Sequence, residues 1–547
     1  MEGSGQSIGV RRTVPVDRGR MVLSKKRREG PCPGCGAVTS REVLDQSHWY
    51  PFWNKQDGAC PACVQKNLLR NLLEHGEKEF NESVQSSWPL DAEAAFGALP
   101  IPLRLHADPR FSGRGVTLAL VDSGFFPHPD LVEPRNRILA GANATHDPVR
   151  AMFFSADRRP EWPNWHAGAD WQWHGMMTSV VAAGNGRLSH GLYAGLASEA
   201  NLVLIQGRDE NGRITNRTIV RALEWLLQEG PRLGVRVVSL SVSGDPVEPL
   251  RGNPVDAAAE ALVEAGITVV AAAGNAGERR LLPPATAPRV LTVGGIDDRN
   301  SFRHDEIELW HSNYGEATNE APKPELVAPS LWVAAPILPG TAVAREAMEL
   351  FEKRRRGQPF DKQRLAELKL ITPHYQHVEG TSFAAPLVAS AIACMLEANP
   401  HLTPLLVRQI LLATAEPVPG APRERQGAGA LAAGAAVARA ISERHRPGRA
   451  WEKSPMLTPE GVVFGFHDHE AKGVEVCGSW NAWEPPGIRL ARDEDGSWRS
   501  PPIPIPPGTY SYKFVIDGTR WMDDPANPKK VHDAVGGLNS VLMVPPR

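Results

Sequence analysis

From residue 115 onward the chain alternates between two hydrophobic periods. GVTLALVD, ANLVLIQG, VRVVSLSVS, GITVVAAAGN and VLTVGGID are short, nearly continuous apolar runs. Between them lie stretches such as TNRTIVRALEWLLQEG and VDAAAEALVEAG, amphipathic at helical spacing. Strands buried on both faces and alternating with helices of this length predict an α/β fold, a parallel sheet sandwiched by helices. In such sheets the chemistry collects at the carboxyl ends of strands. Asp122, directly after LALV, and Asn275, after TVVAAAG, both fall there.

The pattern differs at the two ends. Residues 1–30 are rich in Gly, Arg and Lys without hydrophobic periodicity and read as a solvated basic arm. Residues 31–75 carry two cysteine pairs, and 76–105 form a Pro-punctuated linker. The alternating α/β region fills 106–445 and is interrupted at 341–375 by two charged helical stretches divided by Gly357-Gln358-Pro359. A Pro/Arg-containing linker at 446–460 precedes residues 461–547, where YSYKFVID and NSVLMV alternate in strand fashion. That last segment predicts a small antiparallel β-sandwich.

A chain of 547 residues is too long for one core, and about 150 residues per domain implies two to four units. With 42% hydrophobic and 22% charged residues the composition is ordinarily globular. A net charge of −2 provides no global field for a polyanion, so no nucleic-acid partner is expected. No run of 18 apolar residues occurs, and no membrane span is expected. The basic N-terminal stretch lacks the apolar core of a signal peptide. Six cysteines, at 32, 35, 60, 63, 394 and 477, form two tight pairs and two singletons, which suits a reducing compartment. A cytoplasmic location is the expectation.

Cys32-x2-Cys35 and Cys60-x2-Cys63 each place two thiolates on a tight turn. Two such turns can close a tetrahedral zinc site, which replaces the core that so short a segment lacks. Four thiolates leave no open position, so this zinc would be structural. The competing reading is two unrelated cysteine turns.

Three segments carry the groups of covalent acyl-transfer chemistry. They are LALVDSGFFPHPDL around Asp122, WHGMMTSVVAAG around His174, and EGTSFAAPLVAS around Ser382. A hydroxyl is a weak nucleophile until an imidazole takes its proton, and that imidazole needs a buried carboxylate to fix its tautomer. Taken singly, each residue has a blander reading: a helix N-cap for Ser382, a structural histidine, a turn-capping aspartate. With their neighbours, residues from about 100 to 445 resemble the subtilisin-like serine protease family, in which the order is Asp, His, Ser. The match is close at Gly380-Thr381-Ser382-Phe383-Ala384-Ala385-Pro386, whereas Met176 stands where the family usually has threonine.

The resemblance implies that Ser382 attacks, His174 moves the proton and Asp122 orients His174. It implies that Asn275, in Ala273-Gly274-Asn275-Ala276-Gly277, donates to the oxyanion. One such donor contributes about 3–4 kcal/mol of transition-state stabilisation. It also implies that Ser241-Val242-Ser243-Gly244 and Ala272-Ala273-Gly274 form the two substrate walls, with Ser243 in place of the usual glycine. Their small residues suggest an open pocket for medium or large apolar side chains. Many members bind calcium, and Asp130 with the 184–191 loop would be the candidate ligands. Two departures stand out: no convincing N-terminal prosegment is found, and EWPNWHAGADWQWH at 161–174 sets tryptophans before the base, as a substrate rim or a local core. The 341–375 insertion is either surface decoration or a lid or partner-docking element.

Residues 461–547 resemble the glycogen-binding module of AMP-activated protein kinase β subunits and starch-branching enzymes, through GSWNAW, GTYSYKFVIDGTRW, DDPANP and LNSVLMV. By motif position Trp483, Lys513, Trp521 and Asn539 correspond to the sugar contacts, and Val535 to an inserting loop residue usually leucine. Indole faces cover apolar sugar surface while Lys and Asn bond hydroxyls. Such modules also dock proteins. The expectation is therefore an intracellular serine endopeptidase acting on protein, with an α-glucan or a partner bound at its C-terminus. The alternatives are a catalytically silent scaffold, or a protease switched by nucleic acid through the knuckle and basic arm.

Overall fold

The computed structural model describes residues 30–31, 38–39, 63, 65–66, 69–70 and 98–545, apart from 162–169, 210, 246–251, 302–305, 444–449, 469, 484–485, 494–495 and 534–536. Cys32, Cys35 and Cys60 lie outside the described residues, so the zinc-knuckle expectation is not addressed there.

The central element is a nine-stranded sheet. Its strands are β1 (Thr117–Asp122), β2 (Ile138–Asn143), β3 (Arg150–Phe153), β4 (Asn201–Gln206), β5 (Val235–Leu240), β6 (Thr268–Ala272), β7 (Leu291–Asp297), β8 (Glu308–Leu309) and β9 (Leu326–Pro329). They run in the order β8-β7-β6-β5-β1-β4-β2-β3, with β9 also on β7. Only β3 and β8, each on an outer strand, pair antiparallel. The apolar runs are explained by two cores. Leu118, Leu120, Leu202 and Leu204 point into one, while Ala119, Val121, Val203 and Ile205 point into the other. Both faces of these inner strands are covered, so their central residues are apolar on both sides.

Helix α1 (Trp173–Ala183) and helix α2 (Thr381–Ala398) bear His174 and Ser382, and both pack in the first core. The sequence reading found no apolar run of membrane length. Helix α2 nevertheless has that length and apolarity, and it is mostly buried inside the fold as the central core helix. The 341–375 insertion forms two helices, α3 (Ala342–Arg355) and α4 (Lys362–Glu367), closed over a small core of Ile337, Ala347, Leu350, Leu365 and Leu370.

The C-terminal segment is antiparallel throughout its described residues, with a three-stranded and a six-stranded sheet around Phe464, Phe466, Trp498, Tyr512 and Phe514. The expected 446–460 linker is not a loose connection over its described part. Trp451, 2% exposed, belongs to the protease-side core and stacks on His467 at 5.1 Å. His467 Nε2 meets the Glu443 carboxylate, and Arg439 pairs with Asp468 at 3.4 Å and Glu470 at 2.5 Å. Met456–Thr458 pairs with Gly461–Val463.

Candidate active site

Asp122 ends β1, 1% exposed, and His174 is the second residue of α1. The helix can approach the strand because the next residue is glycine. A Cβ on Gly175 would lie 2.1 Å from the Gly124 carbonyl oxygen and 3.0 Å from Asp122 Cβ. His174 Nδ1 lies 2.7 Å from Asp122 Oδ1. A carboxylate accepts, so Nδ1 carries the proton and Nε2 is left as the acceptor that a base needs. Burial opposes the imidazolium, yet the Asp122 charge and hydrogen bond outweigh it and hold the His174 pKa above the usual imidazole value. The Ser123 N–H also donates to Asp122 Oδ1, at 2.6 Å. Oδ2 accepts from the Thr178 hydroxyl at 3.0 Å, a contact the sequence reading missed. Its signal was the i,i+4 spacing from His174.

Gly380 caps α2 at φ +129°, a conformation that favours glycine, and Ser382 follows at the second helical position. The first N–H groups of a helix have no intrahelical acceptor, and the Ser382 amide is one of them. Asn275, just past β6, is fixed from the same turn: the Thr381 N–H and hydroxyl both donate to its Oδ1, at 3.0 and 2.8 Å. Two donors on one atom identify it as the oxygen, which leaves the Asn275 NH2 to donate elsewhere. Asn313 holds this loop, with its Oδ1 accepting from the Ala276 and Glu278 amides at 2.8 and 3.3 Å. Phe383 sets its ring 5.9 Å from the His174 imidazole, so the amino ends of α1 and α2 meet over Asp122. The four residues read as catalytic thus gather at one end of the sheet.

The expected substrate walls lie at the ends of the neighbouring strands β5 and β6, where Leu240 pairs with Ala271. Their members differ. The Ser241 hydroxyl donates to the Ser382 carbonyl at 2.8 Å, so it braces the helix that bears Ser382. Ala273 is buried with its amide on Val293, and Gly244 is buried against Asn216. Val242, Ser243, Ala272 and Gly274 retain exposed surface. Trp173, 45% exposed, stands edge-on to His174 at 5.1 Å; of the tryptophan-rich stretch, 162–169 lie outside the described residues.

Asp130 does not fit a cation. It is fully buried, Oδ1 accepts the Leu188 amide at 3.0 Å, and Oδ2 accepts the Tyr375 hydroxyl. Both oxygens face donors. Among the described residues, no group of three or more His, Cys, Asp or Glu could hold a metal.

The profile of the subtilase family matches residues 113–429. The chain belongs to the subtilase family. It is 28% identical over 410 residues to serine protease AprX of Bacillus subtilis, covering 72% of this chain and 83% of that protein. It is 25% identical over 305 residues to subtilisin BL of Lederbergia lenta, covering 56% of this chain and 84% of the relative. The crystal structure of fervidolysin from Fervidobacterium pennivorans, a keratinolytic enzyme related to subtilisin, is 20% identical with a TM-score of 0.45, covering 77% of this chain and 54% of that one. Membership makes this subtilase a serine endopeptidase by family and relatives.

Residues 462–547 match the family described as the glycogen recognition site of AMP-activated protein kinase. In that segment the four expected sugar contacts share the sheet face opposite the core. Tyr512 pairs with Ser540, and both are buried; Lys513 and Asn539, next along each strand, take the other face. Trp521 pairs with Val515, on the Lys513 side, and its ring lies 6.3 Å from that of Trp483. Trp521 is 43% exposed, while Lys513 is paired with Asp533 at 2.5 Å. Val535 lies outside the described residues.

Proposed function

We propose that this subtilase cleaves proteins inside the cell by acyl transfer through Asp122, His174 and Ser382. Ser382 Oγ attacks the scissile carbonyl while His174 Nε2 takes its proton. The Asn275 amide and the Ser382 N–H receive the developing oxyanion. His174 then returns the proton to the leaving amine, and water repeats the sequence on the acyl-enzyme. The observation that carries this reading is the 2.7 Å bond from His174 Nδ1 to buried Asp122, made beside the helix end that bears Ser382. A serine-directed fluorophosphonate should label the wild type and not Ser382→Ala. Absence of labelling in the folded wild type would instead support a silent scaffold.

The substrate is protein lying on or near an α-glucan, held by Trp483, Trp521, Lys513 and Asn539. Support comes from the exposed indole of Trp521 beside Trp483 on one polar sheet face. Insoluble starch or glycogen should retain the wild type but not Trp483→Ala or Trp521→Ala. Equal loss of all three into the supernatant removes the sugar reading.

Cys32, Cys35, Cys60 and Cys63 hold one structural zinc, on the strength of the two Cys-x2-Cys turns. Metal analysis should give about one zinc per chain, lost when all four are replaced. The intracellular location is favoured by buried, unbridged Cys394 and Cys477, and cell fractionation tests it.

A further inference from the structure

The carboxylate that orients the base is itself gripped from two sides. Asp122 Oδ1 takes His174 Nδ1 at 2.7 Å and the Ser123 amide at 2.6 Å, with the Ser123 hydroxyl at 3.2 Å. Asp122 Oδ2 takes the Thr178 hydroxyl at 3.0 Å. Thr178 lies on α1 one turn beyond His174, so one helix presents both the base and a second ligand for the base's partner.

A threonine hydroxyl has one proton, and two acceptors lie within its reach. One is Asp122 Oδ2 at 3.0 Å, the other the Gly175 carbonyl oxygen at 3.1 Å, an ordinary back-bond within the helix. A bond to an ionised oxygen is about twice as strong as one to a neutral carbonyl, so the carboxylate takes the proton. Thr178 and Asp122 are 0% and 1% exposed, so bulk water does not compete for either group.

We propose that Thr178 is a positioning residue for catalysis, fixing the rotation of the Asp122 carboxylate and tempering its pull on His174. The inference rests on the reading of Asp122, His174 and Ser382 as the catalytic triad. A carboxylate held at one oxygen can turn about its terminal torsion, which is soft. The second grip stops that turning and keeps Oδ1 on the imidazole. The hydroxyl dipole also points its positive end at Oδ2, which draws charge from the oxygen facing His174.

Removing the hydroxyl therefore has two separable effects. Catalysis slows because the imidazole is less well aimed, and His174 keeps its proton to higher pH because Oδ1 attracts it more strongly. Among the described side chains, Asp122 on β1 is the group whose charge reaches His174. Phe383 from α2 and Trp173 from α1 add uncharged rings. Asp130 and His128, on the turn packed below α1, face the Leu188 amide, Tyr375 and each other. Val333–Pro336, packed on α1, has no ionisable side chain.

The test compares Thr178→Ser, Thr178→Val and Thr178→Ala with the wild type in pH profiles of kcat/KM, alongside fluorophosphonate labelling of Ser382. The serine variant should keep the wild-type acid limb. Valine and alanine should raise its midpoint by about half a pH unit and lower kcat roughly tenfold, with KM nearly unchanged. Having both the isosteric and the smaller variant guards against one failing to fold. Acid limbs that superimpose on the wild type would mean the hydroxyl serves only its Gly175 back-bond, and would overturn the inference. A folded wild type that neither cleaves nor labels at Ser382 overturns the triad reading itself, and with it the role of Thr178.

Discussion

The Ser241 hydroxyl donates to the Ser382 carbonyl oxygen over 2.8 Å, in the place where helix α2 cannot supply its own donor. The i+4 residue is Pro386, which has no N–H. A residue from the end of β5 thus completes the helix that bears Ser382. Ser241→Ala should cost about 1–2 kcal/mol of stability, because a part-buried carbonyl loses its partner. It should also lower kcat. Replacing Pro386 by alanine restores a backbone donor, so Pro386→Ala should rescue much of the Ser241→Ala loss. Additive losses in the double-mutant cycle, measured by denaturant unfolding, would refute the coupling.

Asn275 is expected to act almost wholly in the transition state. Its Oδ1 is occupied by Thr381, so its NH2 is aimed without further ordering. Asn275→Ala should lower kcat by about 10²–10³ with little change in KM. A large rise in KM at constant kcat would assign it to ground-state binding instead. Gly274→Ala should do similar harm for a different reason. That glycine has φ +102°, and a Cβ would lie 2.7 Å from Asn313 Nδ2, in the loop that presents Asn275.

The pH dependence follows from His174. Its pKa is held above the imidazole value of 6.5, so the neutral base appears only at higher pH. The acid limb of kcat/KM should therefore have a midpoint above 6.5. Stability runs the other way. A raised folded pKa contributes stability that is complete below the unfolded pKa and is lost as pH rises through the folded one. Activity should climb over the window in which this contribution fades. An acid limb at or below 6.5 contradicts the prediction.

Asp256 gives a second pH signature, away from the site. Burial raises its pKa to about 6, against the opposing pull of a Thr286 hydrogen bond and Lys323. Its Oδ1 is buried without a partner, while Oδ2 accepts from Thr286 at 2.7 Å. The protonated form suits the fold, so stability is lost as pH rises from 3.8 through about 6. Asp256→Asn imitates that form and should stabilise by on the order of 2 kcal/mol at pH 7–8, with little gain near pH 4. Thermal melts at the two pH values check this, and an equal effect at both would reject it.

Much of this was legible in the chain because it is carried by short local patterns. The apolar runs of β1 and β4 reveal strands with both faces buried, and Gly175 beside His174 marks a close approach. The less legible parts depend on contacts between distant residues. Ser241 reads as part of a substrate edge, and the bond its hydroxyl makes shows only once Pro386, far along the chain, is seen to leave the Ser382 carbonyl without a helical donor. Thr178 is an unremarkable helical threonine until β1 sets Asp122 beneath it. Asp130 resembles a cation ligand until Tyr375, at the end of the insertion, turns out to donate to it. Composition reads 446–460 as a connector, whereas Trp451 is buried on the protease side.

That tryptophan sits where the protease core meets the C-terminal β-segment. Trp451 is clamped between the protease core and His467, and Gly465 lies so close that a Cβ would sit 2.3 Å from Trp451 Cα. Packing on both sides of that ring restrains the joint. An enzyme moored by its tail to a granule would hold its cutting edge at one set angle, and its reach would be that of a fixed blade rather than a tethered one.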